Sequence, residues 1–157
     1  MKIKLLAIGK TDDKNLLQLI NVYEKRLKHY IKFSLEVIPD IKNVKNLSEK
    51  QQKEKEGELI LSKIEATDIL ILLDENGKQL DSVAFSNYLQ KHMNSGIKRL
   101  VFVIGGPYGF SEAVYKKSVG KLSLSKMTFS HQMIRLFIVE QIYRGFTILK
   151  NEPYHHE

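Results

Sequence analysis

Two hydrophobic periods alternate along this chain. Ile3 to Ile8 is a short apolar run that predicts a strand. Leu16, Ile20, Tyr23, Leu27 and Tyr30 recur at helical spacing and predict an amphipathic helix over about residues 13–30. Lys25, Arg26, Lys28 and His29 crowd the end of that segment, where cations suit a helix dipole. Phe33 to Ile38 reads as a second strand, stopped by Pro39. Ser48 and Gln51 have capping-box spacing, which predicts a helix from there to Ile64. Gly57 weakens that helix, and Glu49 to Glu58 is so polar that it reads as a solvated face.

Asp68 to Leu73 is a near-continuous apolar run, the mark of a strand buried on both faces. Asp74 to Gly77 reads as a turn, and a helix follows from about Asp81 to Met93. Leu100 to Ile104 predicts a fourth strand, Ser111 caps a short helix over Glu112 to Val119, and Leu122 to Leu124 predicts a fifth strand. The last helix, about His131 to Lys150, is apolar on most sides and so is expected to be buried. The sum is βαβαβαβαβα, which implies an α/β fold in one domain, a mostly parallel sheet with helices on both faces. Pattern alone predicts a generic open, doubly wound sheet, because knotted threadings are too rare to expect.

Charge adds a partner class. Lys and Arg number 25 against 18 acids, a formal +7. That excess favours polyanions, nucleic acid first, although a generic basic surface explains it equally well on charge alone. There is no cysteine, which excludes disulfides, thiolate zinc sites and cysteine nucleophiles. The longest aliphatic run, Ile69 to Leu73, is far short of a membrane span. Met1 to Lys10 is too short for a secretory apolar region and reads as the first strand. The expectation is a cytoplasmic protein that does not enter membranes.

The candidate chemistry lies in the last third. Gly105-Gly-Pro-Tyr-Gly109 follows a buried strand and precedes a capped helix, a setting in which backbone can approach a ligand closely. A side chain at Gly105 is expected to fill ligand space. The loop does not fit G-x-G-x-x-G, and no P-loop pattern occurs anywhere. Leu124, Ser125, Lys126, Met127, Thr128 and Phe129 form a segment that can offer backbone amides and carbonyls to a heterocycle between apolar side chains. Two such loops at the carboxyl ends of neighbouring strands make a ligand site; a plain turn and a strand end are the alternatives. His131 and Arg135 are four apart and share a helix face, and Arg144 follows Glu140 by four and can pair with it. Tyr154, His155 and His156 follow Pro153 in a tail that either supplies chemistry or frays. The histidine pair lacks metal-ligand spacing, so no metal is expected. A short terminus after proline should bury little, so deleting the tail should leave stability nearly unchanged.

Taken together, Ile104-Gly-Gly-Pro107, Leu122-Ser-Leu-Ser125, His131, Glu140-Gln-Ile-Tyr-Arg144 and Pro153-Tyr-His155 resemble the RlmH family, the ribosomal large-subunit pseudouridine methyltransferases. Lys55-Glu-Gly-Glu58 and the opening strand add to the resemblance, which spans the chain. It implies a SPOUT-type fold with a C-terminal deep trefoil knot, and a homodimer that binds S-adenosylmethionine. It implies methyl transfer to N3 of a pseudouridine in 23S rRNA within the assembled ribosome. By motif, Leu73, Gly105 and Leu124 to Phe129 would hold the cofactor. Arg144, Tyr154 and His155 would serve the substrate, with His155 a candidate base. Gly145 stands where many relatives carry alanine, and His156 where a second basic residue is common. The reading of a different class is a non-catalytic basic module that binds rRNA or a nucleotide through the same loops.

Overall fold

The computed structural model describes residues 1–156. Five strands and five helices alternate: β1 (Lys2–Ile8), α1 (Lys14–Leu27), β2 (Lys32–Ile38), α2 (Glu49–Ser62), β3 (Ile69–Gln79), α3 (Ser82–Asn94), β4 (Arg99–Ile104), α4 (Glu112–Lys117), β5 (Gly120–Ser123) and α5 (Met133–Leu149). The sheet order is β2-β1-β4-β3-β5, and every pairing is parallel.

Strand alternation divides the core into two layers. Ile3, Leu5 and Ala7 of β1, Ile71 of β3 and Leu100, Phe102 and Ile104 of β4 point to one face, where they meet Ile20 and Leu27 of α1, Phe85 and Leu89 of α3 and Ile138, Val139, Ile142 and Phe146 of α5. Leu6 and Ile8, Leu70 and Leu72, and Val101 and Val103 point to the other face, against Ile60 of α2 and Val114 of α4. The central stretches Leu5–Ile8 of β1, Ile69–Leu73 of β3 and Leu100–Ile104 of β4 are apolar at every position because both faces are covered.

Asp74 to Gly77 was expected to end the third strand. The chain instead stays extended, but these residues leave the ladder: Leu73 and Lys78 both stand opposite Leu122 of β5. The turn chemistry acts within the bulge, where the Asn76 N–H donates to Asp74 Oδ1 at 2.8 Å. Other ends also differ: α1 stops at Leu27, α2 at Ser62 and α4 at Lys117, and β5 runs Gly120–Ser123. α5 begins at Met133 because Ser130 closes its first turn, accepting from the Met133 N–H at Oγ (3.1 Å) and from the Ile134 N–H at its carbonyl (3.0 Å).

Arg135 of α5 is fully buried, at 1% exposure. It donates to the Ile8 carbonyl (2.6 Å) and to Thr11 Oγ1 (2.9 Å), tying the end of β1 to the start of the last helix. Among the described residues no helix is long and apolar enough to cross a membrane.

Gly57 lets α2 lie against the cap of α4. A Cβ built there would stand 2.9 Å from Ser111 Cβ, closer still to its hydroxyl, and 3.3 Å from Val114 Cγ2. Gly57→Ala is therefore expected to cost about 1–3 kcal/mol, as overpacking does. Urea denaturation reads this directly, and Ser111→Gly in the same chain should recover part of the loss. An unchanged midpoint would mean that the two helices do not meet this closely.

Candidate active site

The carboxyl ends of β4, β3 and β5 surround a cavity of about 490 Å³. Leu73 to Asn76 form one wall, from the bulge of β3. Ile104 to Phe110 form the second, from the loop after β4. Leu122 to Ser125, with Met127 to Phe129, form the third, and His131 and Ile134 close the floor. The resemblance named Leu73, Gly105, Leu124, Ser125, Met127, Thr128 and Phe129, and all of these line this one cavity. Lys126 is exposed and does not line it.

The third wall is shaped by its own hydroxyls. Ser123 Oγ donates to the Ser125 carbonyl (2.7 Å), and Ser125 Oγ accepts from the Met127 N–H (2.9 Å). Phe129 stands edge-on to Phe137 of α5, with ring centres 4.9 Å apart. Met127 is 74% exposed, a large apolar group at the rim with nothing in this chain to cover it. In the second wall, a Cβ on Gly105 would meet the Phe110 ring at 3.0–3.3 Å. A side chain there first displaces Phe110, itself part of the lining, so its route into the ligand space is indirect. Tyr115 donates to Asp74 Oδ2 at 2.6 Å, and burial together with this bond pushes its phenol up to about 12.

The electrostatics of the lining oppose those of the whole chain. Among the described residues it contains two carboxylates, Asp74 and Glu75, and His131, but neither lysine nor arginine. A cavity built this way has no cation to pair with a phosphate.

The tail is a second assembly, and it is not frayed. Arg144 grips Glu140 Oε1 through Nε (3.1 Å) and Nη2 (2.6 Å). The Tyr154 hydroxyl donates to the same oxygen (3.0 Å) and lies 3.1 Å from the Tyr23 hydroxyl of α1. The guanidinium carbon of Arg144 sits 4.7 Å from the centre of the Tyr154 ring, and its Nη1 lies 3.4 Å from His155 Nδ1. Burial first, then the bonds with Tyr23 and Glu140, raises the Tyr154 phenol well above its usual range. Tyr30 adds a further tie by donating to Glu152. Glu157, the last residue of the tail, lies outside the described residues.

Arg144, Tyr154 and His155 thus stand together, but they do not line the cavity of their own chain. Between the two assemblies lies a further cavity of about 480 Å³, which shares Leu122 to Ser125 and Phe129 with the first and reaches Glu140 and Gln141. Glu140 is its link to the tail. Sequence reasoning saw Glu140 only as a partner for Arg144 and took Tyr23 for part of an apolar stripe. Neither carries a local signal of a network whose members come from opposite ends of the chain. No cluster of potential metal ligands occurs among the described residues.

Residues 1–155 match the family model described as "Predicted SPOUT methyltransferase". The chain belongs to the SPOUT methyltransferase family. Among its relatives, the protein named Ribosomal RNA large subunit methyltransferase H in Flavobacterium psychrophilum is 78% identical over 157 residues, covering all of both chains. The proteins of that name in Parabacteroides distasonis and Bacteroides thetaiotaomicron are 68% and 57% identical, again over the full length of both chains. A solved structure of a probable methylase family protein from Haemophilus influenzae Rd KW20 superposes with a TM-score of 0.55 at 11% identity, covering 99% of this chain and 70% of that one. That likeness speaks to the fold.

The docked tail reverses the expectation that its loss costs no stability. Truncation after Glu152 removes the hydroxyl of Tyr154 from Glu140 and Tyr23 and strips the stacking partner from Arg144. The loss should be about 2–4 kcal/mol, the sum of a charged hydrogen bond and a cation–π contact. Chemical denaturation of the full and truncated chains measures it. Coincident midpoints would mean that the tail is a free end in solution.

Proposed function

We propose that this chain transfers a methyl group from S-adenosylmethionine to N3 of a pseudouridine in 23S rRNA of the assembled ribosome. It would act in the cytoplasm as a homodimer of single-domain subunits. The observation that carries the cofactor part is the cavity itself: walls of backbone and apolar side chains, two carboxylates and no lysine or arginine, in a chain of formal charge +7. Such a lining rejects nucleotide phosphates and suits a nucleoside bearing a sulfonium. The substrate part is supported by full-length relatives whose name specifies large-subunit rRNA. A basic exterior suits the same partner.

In this reading the backbone of Leu124 to Phe129 holds adenine and ribose, and Leu73 and Gly105 complete the walls. The C-terminal segment would be threaded as a trefoil knot, in keeping with the fold the resemblance implies. When bound, the cofactor supplies an electrophilic methyl group for in-line transfer, a reaction that needs alignment more than covalent help. The acceptor must lose its N3 proton. Arg144 stabilises the resulting anion, and because Glu140 already occupies its Nε and Nη2, the edge offered is the one toward Tyr154 and His155. His155 is the candidate base that would take the proton. Since these residues do not reach the cavity of their own chain, we infer that they serve the cavity of the partner subunit.

Labelled methyl transfer to ribosomes separates this reading from a non-catalytic rRNA- or nucleotide-binding module, which would show none. Arg144→Ala should lower turnover by the equivalent of about 2.7–4 kcal/mol, as removal of an anion-stabilising donor does, while cofactor affinity stays unchanged. Mixed dimers decide which chain supplies the tail. One subunit should lack Tyr154 onward, and the other should carry Gly105→Val, which displaces Phe110 into the cavity. Service in trans leaves one intact site per heterodimer, so activity should exceed that of either mutant homodimer. An inactive heterodimer would place the tail at its own subunit's site.

A further inference from the structure

One carboxyl group beside the cavity has no role in the chemistry above. Glu56 lies in the polar half of α2, which faces solvent, yet its exposure is 3%. Its Oε1 accepts from Gln52 Nε2 at 3.0 Å, and its Oε2 has no hydrogen-bond partner. The group fills the space behind Gly106: a Cβ there would lie 2.6 Å from both Cδ and Oε1 of Glu56, and nearer still to Oε2. Gly106 lines the cavity on its other side. A single glycine backbone therefore separates a buried carboxyl group from the candidate cofactor.

Leaving such a group half-satisfied is costly. Burial raises its pKa; Gln52 offsets part of this, the negative charge of Asp40 adds to it, and His131 opposes it. Among the described residues no lysine or arginine pairs with it. The counterweight must come from outside, and a sulfonium is the charge that the proposed cofactor brings.

Taking the S-adenosylmethionine reading as given, we propose that Glu56 is the counter-charge by which the cavity favours the sulfonium donor over its neutral thioether product. In the transfer the S–CH3 bond breaks and its electron pair stays on sulfur. The N3 electron pair forms the new N–CH3 bond, and the N3 proton leaves to the base. The cofactor thus loses one positive charge and one methyl group while keeping the rest of its shape. Shape discriminates the two forms weakly; charge discriminates them well. A carboxylate behind Gly106 strengthens the hold on the donor and is left uncompensated once the methyl group has gone, which favours product release.

The test is calorimetric titration of the whole chain with S-adenosylmethionine and with S-adenosylhomocysteine. In Glu56→Gln the preference for the donor should fall about tenfold relative to wild type, the order expected for one charge acting through a partly screened site. The loss should come from weaker donor binding, with product affinity nearly unchanged. Equal weakening of both ligands would make Glu56 a prop for the loop and overturn the proposal. Tight binding of both by wild type with no change of ratio in Glu56→Gln would overturn it while leaving the cofactor reading intact; failure of wild type to bind either would sink the cofactor reading itself.

If Glu56→Gln does not fold, the His131→Gln chain carries the test. It removes the other titratable group of the floor, leaving Asp40, Asp74, Glu75 and Tyr115 as the ionisable neighbours. At a pH low enough to leave Glu56 partly protonated, titration in buffers of different ionisation heat should then show proton release with the donor and not with the product. Equal release with both ligands would overturn the proposal.

Discussion

The site depends on β3 lying between β4 and β5. Its ladder bonds both neighbours in parallel, so the loops that leave β4 and β5 emerge on either side of the end of β3 and face each other. The bulge that begins at Asp74 leaves the ladder there and supplies the wall between them. Both loops pack on other elements, Phe110 in the core layer with Ile60 and Val114 and Phe129 against Phe137 of α5. Each is positioned from behind: Gly106 rests on Glu56 of α2, and the loop before α5 is fixed by Ser130 at the helix start. A slip of β3 by one residue would turn its apolar set to the wrong faces and part these walls together.

Charge is arranged in opposite senses at two scales. The chain as a whole is basic, which suits a polyanionic partner, whereas the cavity holds carboxylates and no lysine or arginine. A uniform distribution would serve neither purpose, because cations in the cavity would recruit phosphates and repel a sulfonium. Arg135, buried against the end of β1, gives Nη1 to Thr11 Oγ1 and Nη2 to the Ile8 carbonyl, while its Nε has no partner, so its charge is held inside the fold. Arg144 is held by Glu140 at a distance from the cavity of its own chain. The separation of Arg144, Tyr154 and His155 from that cavity is the observation on which the proposed role of a second subunit rests.

Much of this was legible in the residues. Periodicity and caps together placed all ten elements, because strands covered on both faces and amphipathic helices write their burial into the pattern, and Ser48 and Ser111 mark the starts of α2 and α4. The two loops and Ser48 with Gln51 were legible as well, since caps and glycine turns are local. What escaped was non-local. Glu56 looked like one more charge on a solvated helix, and only the approach of Gly106 buries it. Gly57 looked like a weakness, and only Ser111 shows why no side chain fits. The docking of Tyr154 required Tyr23, over a hundred residues earlier. The end of β3 misled for a subtler reason: Asp-Glu-Asn-Gly carries the chemistry of a turn, and a bulge uses the same chemistry without reversing the chain. The resemblance supplied the names of cavity residues that spacing alone left ambiguous, with Lys126 the exception that faces solvent.

A crystal structure of the chain with S-adenosylmethionine tests the central claim most directly. The account predicts the ligand in the cavity between the loops, its adenine and ribose hydrogen-bonded to backbone between Leu124 and Phe129, and no lysine or arginine of the same chain in contact with it. A ligand seated instead in the neighbouring cavity against Glu140 and Gln141, or held by a cationic side chain of its own chain, would contradict it.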